Sequence, residues 1–138
     1  MPLLPRKAVL AIAAVTDIAL NARGRPVRAK ALAMRHGLSP RHLEPALQAL
    51  VRHGILKGTR GPRGGYELAR KKGRITADDI LRAAGTAVEL DCTPAGNTAL
   101  LKRPVVRQAE EALSAELERI NVEDLAHSAN ELGRVAAE

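Results

Sequence analysis

The sequence predicts a mainly α-helical fold that carries one small β-hairpin, and three observations support this. Tyr66 is the only aromatic residue, so the core must be built from Leu, Ile, Val and Ala, whose small faces suit close helix packing. Apolar residues recur at three- and four-residue spacing over most of the chain. The glycine-rich run 60–65 lies between two short apolar segments, as a hairpin loop would. In this order, the elements predict a winged helix-turn-helix.

The first two helices are predicted before residue 37. Helix one runs from residue 6 to about 22, and Gly24 follows it as a stop signal. Its predicted apolar stripe consists of Val9, Ile12, Ala13, Thr16, Ala19 and Leu20. Residues 27–28 are predicted to pair as a short strand with the later hairpin. A second helix covers 28–36 and ends at Gly37, because glycine most easily adopts the positive φ of a tight interhelical turn.

The third helix and the hairpin follow. Ser39 is the predicted N-cap of this helix, which ends near His53. Its predicted inner face consists of Leu43, Leu47, Leu50 and Val51. One strand begins at 55–56 and the other returns at 66–68. Thr76 is then predicted to cap a short helix that has two aspartates in its first turn, where carboxylates favour the positive end of the helix dipole.

The last third of the chain is predicted to be a loop followed by helices. The regular pattern stops after residue 85 and returns at about 99, where a long helix runs to about 120. A further helix is predicted from residue 121. The long helix carries one apolar stripe, formed by Val106, Ala109, Leu113, Leu117 and Ile120.

Positive charge is concentrated in the first 82 residues. Residues 1–82 carry 17 Lys/Arg against 5 Asp/Glu, a net charge of +12, whereas residues 83–138 carry 5 against 10, a net charge of −5; together they give the +7 of the whole chain. The excess is densest over 57–74, which holds seven basic residues and one acid, Glu67. This local density favours phosphate binding over simple solubility, and it predicts double-stranded DNA as the partner.

The third helix is predicted to read bases from its first turns, where side chains project into the major groove. The candidate residues are Ser39, Pro40, Arg41, His42 and Glu44. Arg41 can bind guanine or phosphate, and Glu44 can accept from the cytosine amino group. Two structural alternatives stay open: Glu44 as a surface acid paired with Arg41, and His42 as a partly buried packing residue, which is the preferred interpretation of that histidine.

The hairpin is predicted to be a basic wing. Gly61, Gly64 and Gly65 allow a narrow loop and close approach of the backbone to DNA, and Arg60 and Arg63 lie where the tip would enter a minor groove. The remaining predicted phosphate contacts are Arg28, Lys57, Arg70, Lys71 and Lys72. The alternative is an ordinary exposed hairpin. A nucleotide loop is excluded because the terminal Gly-Lys-Ser/Thr of a P-loop is missing.

These residues resemble the IscR/NsrR/BadM-type winged-helix transcription regulators, the "Rrf-two" family. The resemblance covers most of residues 6–85. It is carried by Leu32, Ala33, His36, Gly37, Leu38, Ser39, Leu43, Glu44, Leu47, Leu50, Gly54, Ile55, Leu56, the run 60–70, Ile75, Thr76, Asp79 and Ile80. It implies a homodimer on near-palindromic promoter sites, with Ser39, Glu44 and Arg60 facing DNA. It also implies that a long C-terminal helix crosses its dimer mate.

With the resemblance, the chain divides into three predicted parts. Residues 1–85 form a winged helix-turn-helix DNA-binding domain, and 86–98 form an effector or sensor-type loop. Residues 99–138 form the dimerisation helix and a C-terminal helical tail, and the stripe of the long helix is assigned to dimer contacts.

Cys92 marks a departure from the family. Cluster-binding members carry three cysteines in this loop, whereas Cys92 is the only cysteine of the chain. One thiolate cannot hold an iron–sulfur cluster that normally has four protein ligands, so no cluster and no metal site are expected. Cys92 is a candidate redox sensor, but the neighbouring Asp91 disfavours a reactive thiolate, and an inert thiol is the preferred interpretation. An unidentified small-molecule or redox effector stays open.

The leading hypothesis is therefore a homodimeric, sequence-specific DNA-binding regulator, with repression as the favoured mode. The alternative is a winged-helix module that binds a protein without specific DNA recognition. An enzyme is not expected, because no catalytic grouping is evident. Asp17 and Asn21 interrupt the only signal-like apolar run, and no run approaches the roughly 20 residues of a membrane span, so a cytoplasmic protein without membrane contact is predicted.

Overall fold

The structure is a computed structural model that describes residues 6–22, 24–84 and 98–137. Its elements in chain order are α1 (Arg6–Asn21), α2 (Ala29–Arg35), α3 (Pro40–Arg52), β1 (Leu56–Thr59), β2 (Gly65–Leu68), a 3-10 turn (Lys72–Arg74), α4 (Ala77–Ala83), α5 (Thr98–Glu118) and α6 (Val122–Ala137). The predicted mainly helical fold with one hairpin is confirmed.

Helix α1 is the centre of the molecule, since it packs against α3, α4, α6 and β2. Its buried face consists of Ala8, Ala11, Ala14, Val15 and Ile18. The predicted stripe was wrong in part: Ile12 and Ala19 pack against the core, but Val9 is 52% exposed, and Ala13 and Leu20 are only half-buried. Because α1 is apolar on most of its surface, spacing alone fits two faces. Packing selects the alanine-rich face, because small side chains let the neighbouring helices approach closely.

Helices α2 and α3 form the helix-turn-helix as predicted. Gly37 has a φ of +63° in the turn between them. Leu43, Leu47 and Leu50 anchor α3 in the core. Ser39 precedes the helix, but its side chain makes no hydrogen bond to the backbone of the first turn.

The hairpin is bound to the helical core by a third segment. Strands β1 and β2 pair antiparallel, with Leu56 opposite Leu68. The Val27 N–H donates to the Tyr66 carbonyl at 2.8 Å, and the Tyr66 N–H donates to the Val27 carbonyl at 2.7 Å. The predicted pairing of the segment at residue 27 with the hairpin is therefore confirmed. The pairing fixes the base of the wing against the start of α2.

Helices α4 and α6 begin side by side, each with a capping box. The Thr76 hydroxyl accepts from the Asp79 N–H, and the Asp79 carboxylate accepts from the Thr76 N–H, both at 3.1 Å. Asn121 and Asp124 form the same arrangement at the start of α6. The Val122 N–H also donates to the Ile75 carbonyl at 2.8 Å, so the two helix starts are joined.

The C-terminal helices pack on the winged-helix part. Helix α6 lies against α1, and Val122 is fully buried in the main core. Leu113 and Leu117 of α5 pack against a small cluster that includes Ala8 and Leu81. In the part of the chain that the structure describes, no helix is long and apolar enough to span a bilayer.

The stripe of α5 that was assigned to dimer contacts is divided between two environments. Leu117 is only 7% exposed because it is covered by its own chain, and Leu113 is half-buried there too, whereas Ala109 and Ile120 are exposed. The side chain of Val106 lies outside the described residues. Leu117 therefore has a contact within its own subunit, and the dimer role of the stripe stays a prediction.

Candidate nucleic-acid interface

The first turns of α3 present the predicted base-reading residues to solvent. Ser39, Pro40, Arg41, His42 and Glu44 are all exposed. The buried leucines of the same helix fix their direction. The two structural alternatives were an ion pair between Arg41 and Glu44 and a partly buried His42, and neither is present among these described residues. No ion pair joins Arg41 to Glu44, two residues that the structure describes.

His42 corrects an expectation, since it is exposed and not partly buried in packing. The leucines at 43 and 47 fill the core side of α3, so the histidine one position earlier points away from it. The Ser39 hydroxyl lies 3.1 Å from His42 Nδ1. This contact links the first residue before the helix to its first turn and orients the imidazole.

The tip of the wing depends on glycine for steric reasons. A Cβ on Gly64 would overlap the Thr59 carbonyl oxygen and lie 2.9 Å from the Arg60 carbonyl carbon. A Cβ on Gly65 would lie 2.6 Å from the Val27 carbonyl oxygen. Gly61 has a φ of +105°, which residues with a Cβ rarely adopt. The loop is therefore narrow because its backbone folds onto itself and onto the segment at residue 27.

Two clefts flank this loop. The first, called the inner cleft, has a volume of about 540 Å³ and lies between α3 and the wing; Gln48, Thr59 and Arg60 line it. The second, called the outer cleft, has a volume of about 530 Å³ and is lined by Arg25, Pro26, Arg28, Pro62, Arg63 and Gly64. The wing therefore presents Arg60 to one cleft and Arg63 to the other, a separation that the sequence did not predict.

Two polar residues of these clefts, Gln48 and Arg25, were not among the predicted site residues. Gln48 lies on α3 and its Nε2 donates to the Tyr66 hydroxyl at 3.3 Å, so the helix and the wing are in direct contact. Arg25 lies before the strand-like residue Val27 and lines the outer cleft. Arg25 had a signal, since it is one of two arginines that bracket Pro26–Val27 within the basic part of the chain.

The cations of this face differ in their neighbours. Lys57 lies 3.8 Å from a Glu67 oxygen and Arg70 lies 3.9 Å from an Asp79 oxygen, so both have a weak, exposed counter-charge. The other predicted contacts make no ion pair with any residue that the structure describes; they are Arg28, Arg41, Arg60, Arg63, Lys71 and Lys72. Unneutralised cations on one face attract a polyanion.

An ion pair with a buried carboxylate and a half-exposed arginine holds the helix-turn-helix together. Asp17 of α1 is 8% exposed and accepts from Arg35 Nη2 at 2.6 Å, from Arg35 Nε at 2.9 Å and from His36 Nε2 at 2.9 Å. Burial alone would raise the pKa of Asp17, but hydrogen bonds from Arg35 and His36 outweigh it and hold the pKa below 3.8. The hydrogen bond to Asp17 in turn raises the pKa of Arg35.

This ion pair was not predicted, although its carboxylate was visible. Asp17 interrupts an otherwise apolar run, and its partners lie 18 and 19 residues later at the end of α2. The pair joins α1 to the last turn of α2, next to Gly37. It therefore fixes the direction in which the chain enters α3.

The fold and the face together define a winged-helix transcriptional regulator: a helix-turn-helix with an exposed reading helix, an arginine-bearing wing, and cations without counter-charges. Residues 4–128 match the Rrf2 family, described as an iron-dependent transcriptional regulator, and the chain belongs to that family.

Named relatives and solved structures agree with this. The chain is 29% identical over 127 residues to the HTH-type transcriptional regulator IscR of Xenorhabdus nematophila, covering 88% of this chain and 77% of that protein. It is 33% identical over 86 residues to IscR of Cronobacter sakazakii, covering 62% of this chain and 53% of that protein, so it spans about half the length of that relative. Both relatives are named as HTH-type transcriptional regulators.

Two solved structures match over nearly the whole fold. CymR, the global cysteine regulator of B. subtilis, has a TM-score of 0.74 and 27% identity, with 93% of this chain and 98% of that chain covered. T. potens IscR has a TM-score of 0.75 and 28% identity, with 94% and 89% covered.

The family's description as iron-dependent prompts a test of the available ligands. Cys92 lies outside the described residues and is the only cysteine of the chain. In the parts of the chain with described placement, no group of three or more His, Cys, Asp or Glu side chains could hold a metal ion. An iron–sulfur cluster normally takes four protein ligands, so the absence of a cluster stays a prediction that rests on the single cysteine.

Proposed function

We propose that the protein is a homodimeric, sequence-specific DNA-binding transcriptional regulator, with repression as its mode of action. The N-terminal turns of α3 enter a major groove, and Arg60 reaches the adjacent minor groove from the wing. The observation that carries this proposal is the inner cleft between α3 and the wing, which Gln48 and the exposed arginines Arg28 and Arg60 line. A near-palindromic site follows from two identical heads.

The dimer is proposed to form through α5. Membership of the Rrf2 family supports this, and so does the division of the helix between environments. Leu117 packs inward, whereas Ala109 stays exposed on the same helix. The part of the stripe at Leu117 would therefore rest on its own domain, while the exposed part at Ala109 meets the partner.

The protein is also proposed to bind DNA without an iron–sulfur cluster, with Cys92 as an inert thiol. The single cysteine supports this proposal. Replacing Cys92 with Ser should leave promoter binding unchanged, both before and after oxidant treatment. A response to oxidant in the wild type that Cys92→Ser loses would contradict the inert thiol and make Cys92 a redox sensor.

The function is tested by selecting bound fragments from genomic DNA and measuring affinity on the best one. We expect Arg60→Ala to cost on the order of 1–3 kcal/mol on the selected site and much less on random duplex. Arg119→Ala is the matched control, because Arg119 is an exposed arginine of the α5–α6 connection that is paired with Glu116. Equal losses of Arg60→Ala on both duplexes would reduce Arg60 to a phosphate contact.

The quaternary state is tested by sedimentation at the concentration used for binding. A monomer that prefers no duplex over heparin would contradict the proposal. Capture of one specific protein together with failure to retard any duplex would favour the protein-interaction module instead.

A further inference from the structure

We propose that the outer cleft is a second phosphodiester site, in which Arg25, Arg28 and Arg63 hold the DNA strand opposite to the one in the inner cleft. The inference rests on the proposed function. It adds a residue, Arg25, and divides the two wing arginines between the two strands of one minor groove.

The two clefts share Arg28, Pro62 and Gly64, and their other lining residues separate them. Arg60 lines only the inner cleft and Arg63 only the outer one. Helix α3 contributes Gln48 to the inner cleft and nothing to the outer, whereas Arg25 and Pro26 contribute to the outer cleft alone. The wing loop therefore lies between two cationic surfaces of similar size.

The dimensions of a duplex match this arrangement. The minor groove is about 6 Å wide, and a sugar–phosphate strand forms each of its walls. Neighbouring strands of a hairpin lie about 4.8 Å apart, so a hairpin tip that enters the groove has one DNA strand on each flank. A wing with a cationic cleft on one flank binds one strand, and a wing with two such clefts binds both.

The outer cleft is held in place by the backbone and not by flexible side chains alone. Val27 exchanges two hydrogen bonds with Tyr66, at 2.7 and 2.8 Å. Gly65 lies so close to the Val27 carbonyl that a Cβ would have no room. Arg25 and Arg28 flank this pairing, so their backbone positions relative to the wing are fixed before DNA arrives.

The charge of the outer cleft calls for an anion. Three guanidinium groups line it together with two prolines and a glycine, and no carboxylate is among these residues. None of the three arginines makes an ion pair with a described residue. Like charges at one cleft repel, and a phosphate oxygen pair matches the fork of a guanidinium group.

The test maps phosphate contacts strand by strand. The full chain is bound to its best genomic duplex, and ethylation interference is measured separately on each labelled strand. We expect wild-type interference on both walls of the minor groove. Arg25→Ala and Arg63→Ala should each lose it on one strand, whereas Arg60→Ala, which removes a proposed base contact, should retain it there.

A salt titration gives a second readout. Each lost phosphate contact should lower the slope of log affinity against log salt by about 0.9. Arg25→Lys should retain the slope, because it keeps the charge. Arg52→Ala is the control: Arg52 is exposed at the end of α3, makes no ion pair with a described residue and lines neither cleft. It should leave both readouts unchanged.

The outcomes distinguish this site from the proposed function. If wild-type protein binds its duplex but Arg25→Ala and Arg63→Ala keep the full slope, or lose the same phosphates as Arg60→Ala, the second site is wrong and the regulator stands. If the wild type retards no duplex, the proposed function fails and the site fails with it.

Discussion

The arginines of the wing and three arginines of the helices differ in their counter-charges. Three arginines of the helices are neutralised within the chain: Arg35 by Asp17 at 2.6 Å, Arg82 by Asp78 at 2.8 Å, and Arg107 by Glu111 at 3.4 Å. Arg60 and Arg63 make no ion pair with any described residue. The difference teaches that a missing counter-charge marks the binding surface only together with a place at a cleft, because Arg52 also makes no ion pair with a described residue but lines neither cleft.

The strongest way to break this contrast is to disturb the wing without changing any charge. We expect Gly64→Ala to destabilise the fold by about 2–3 kcal/mol, since its Cβ would overlap the Thr59 carbonyl oxygen and the backbone has to shift. DNA affinity should fall by more than about tenfold, which corresponds to 1.4 kcal/mol, because the wing arginines are displaced. Thermal unfolding and a gel-shift titration measure the two effects.

Gly58→Ala is the control for Gly64→Ala. A Cβ on Gly58 would meet only Tyr66 ring carbons, at 3.7 and 3.9 Å, which are ordinary contacts. This variant should therefore fold like the wild type, and it is the control for the stability effect alone, because Gly58 lines the inner cleft. Equal losses in the two variants would mean that the hairpin tolerates no added side chain anywhere, and the close backbone approach at Gly64 would not be the cause.

The wing and the helix-turn-helix could be predicted from the sequence because their signals are local. Gly37 and the run 60–65 mark turns, and the leucines of α3 are spaced for one buried face. The buried face of α1 could not be predicted in this way, since Val9 and Ala8 both belong to plausible stripes. Only the neighbouring elements, which come much later in the chain, decide which stripe is covered.

A second prediction tests the contacts of the buried Asp17 carboxylate with Arg35 and His36. Asp17→Asn keeps the size of the side chain but removes the charge that Arg35 and His36 contact. We expect a loss of about 1.5–3 kcal/mol in the free energy of unfolding, the range for hydrogen bonds to charged groups, measured by urea denaturation at neutral pH. Glu116→Gln, which removes an exposed partner of Arg119, should cost much less.

The same pair predicts a pH dependence. Because the pKa of Asp17 is lower in the folded protein than its ordinary 3.8, its stabilisation is fully present above that value and is lost as the pH falls through the folded pKa. The stability difference between wild type and Asp17→Asn should therefore shrink as the pH falls from about 4 toward about 2. A difference that stays constant down to pH 2 would contradict the lowered pKa.

The candidate site was predicted less completely than the fold, for a physical reason. Arg60 and Arg63 lie in the same glycine-rich run of the sequence, but in the folded loop they line different clefts. Arg25 and Gln48 belong to the site only because β2 pairs with Val27 and because Tyr66 meets α3. Residue type and local density locate the charge, whereas the distribution of that charge between two clefts depends on contacts between distant segments.

A third prediction concerns the capping box at the start of α4. Thr76→Ala removes the hydroxyl that accepts from the Asp79 N–H, and it should cost about 1 kcal/mol. Thr76→Ser retains the hydroxyl and is the control. DNA affinity should stay unchanged in both variants, as measured by gel shift. A loss of affinity in Thr76→Ala alone would link the start of α4 to the binding face.

The smallest expected effect sharpens the meaning of a paired cation. Arg107 lies 3.4 Å from Glu111, but their side chains are 82% and 68% exposed, and the basic residue precedes the acidic one, which is the less favourable order on a helix. Arg107→Ala should therefore change the free energy of unfolding by less than about 0.5 kcal/mol and leave DNA affinity unchanged. Urea denaturation and gel shift at one salt concentration measure both. A tenfold loss of DNA affinity would place Arg107 at the DNA although Glu111 is its counter-charge. It would contradict the contrast between the paired arginines and the unpaired wing arginines.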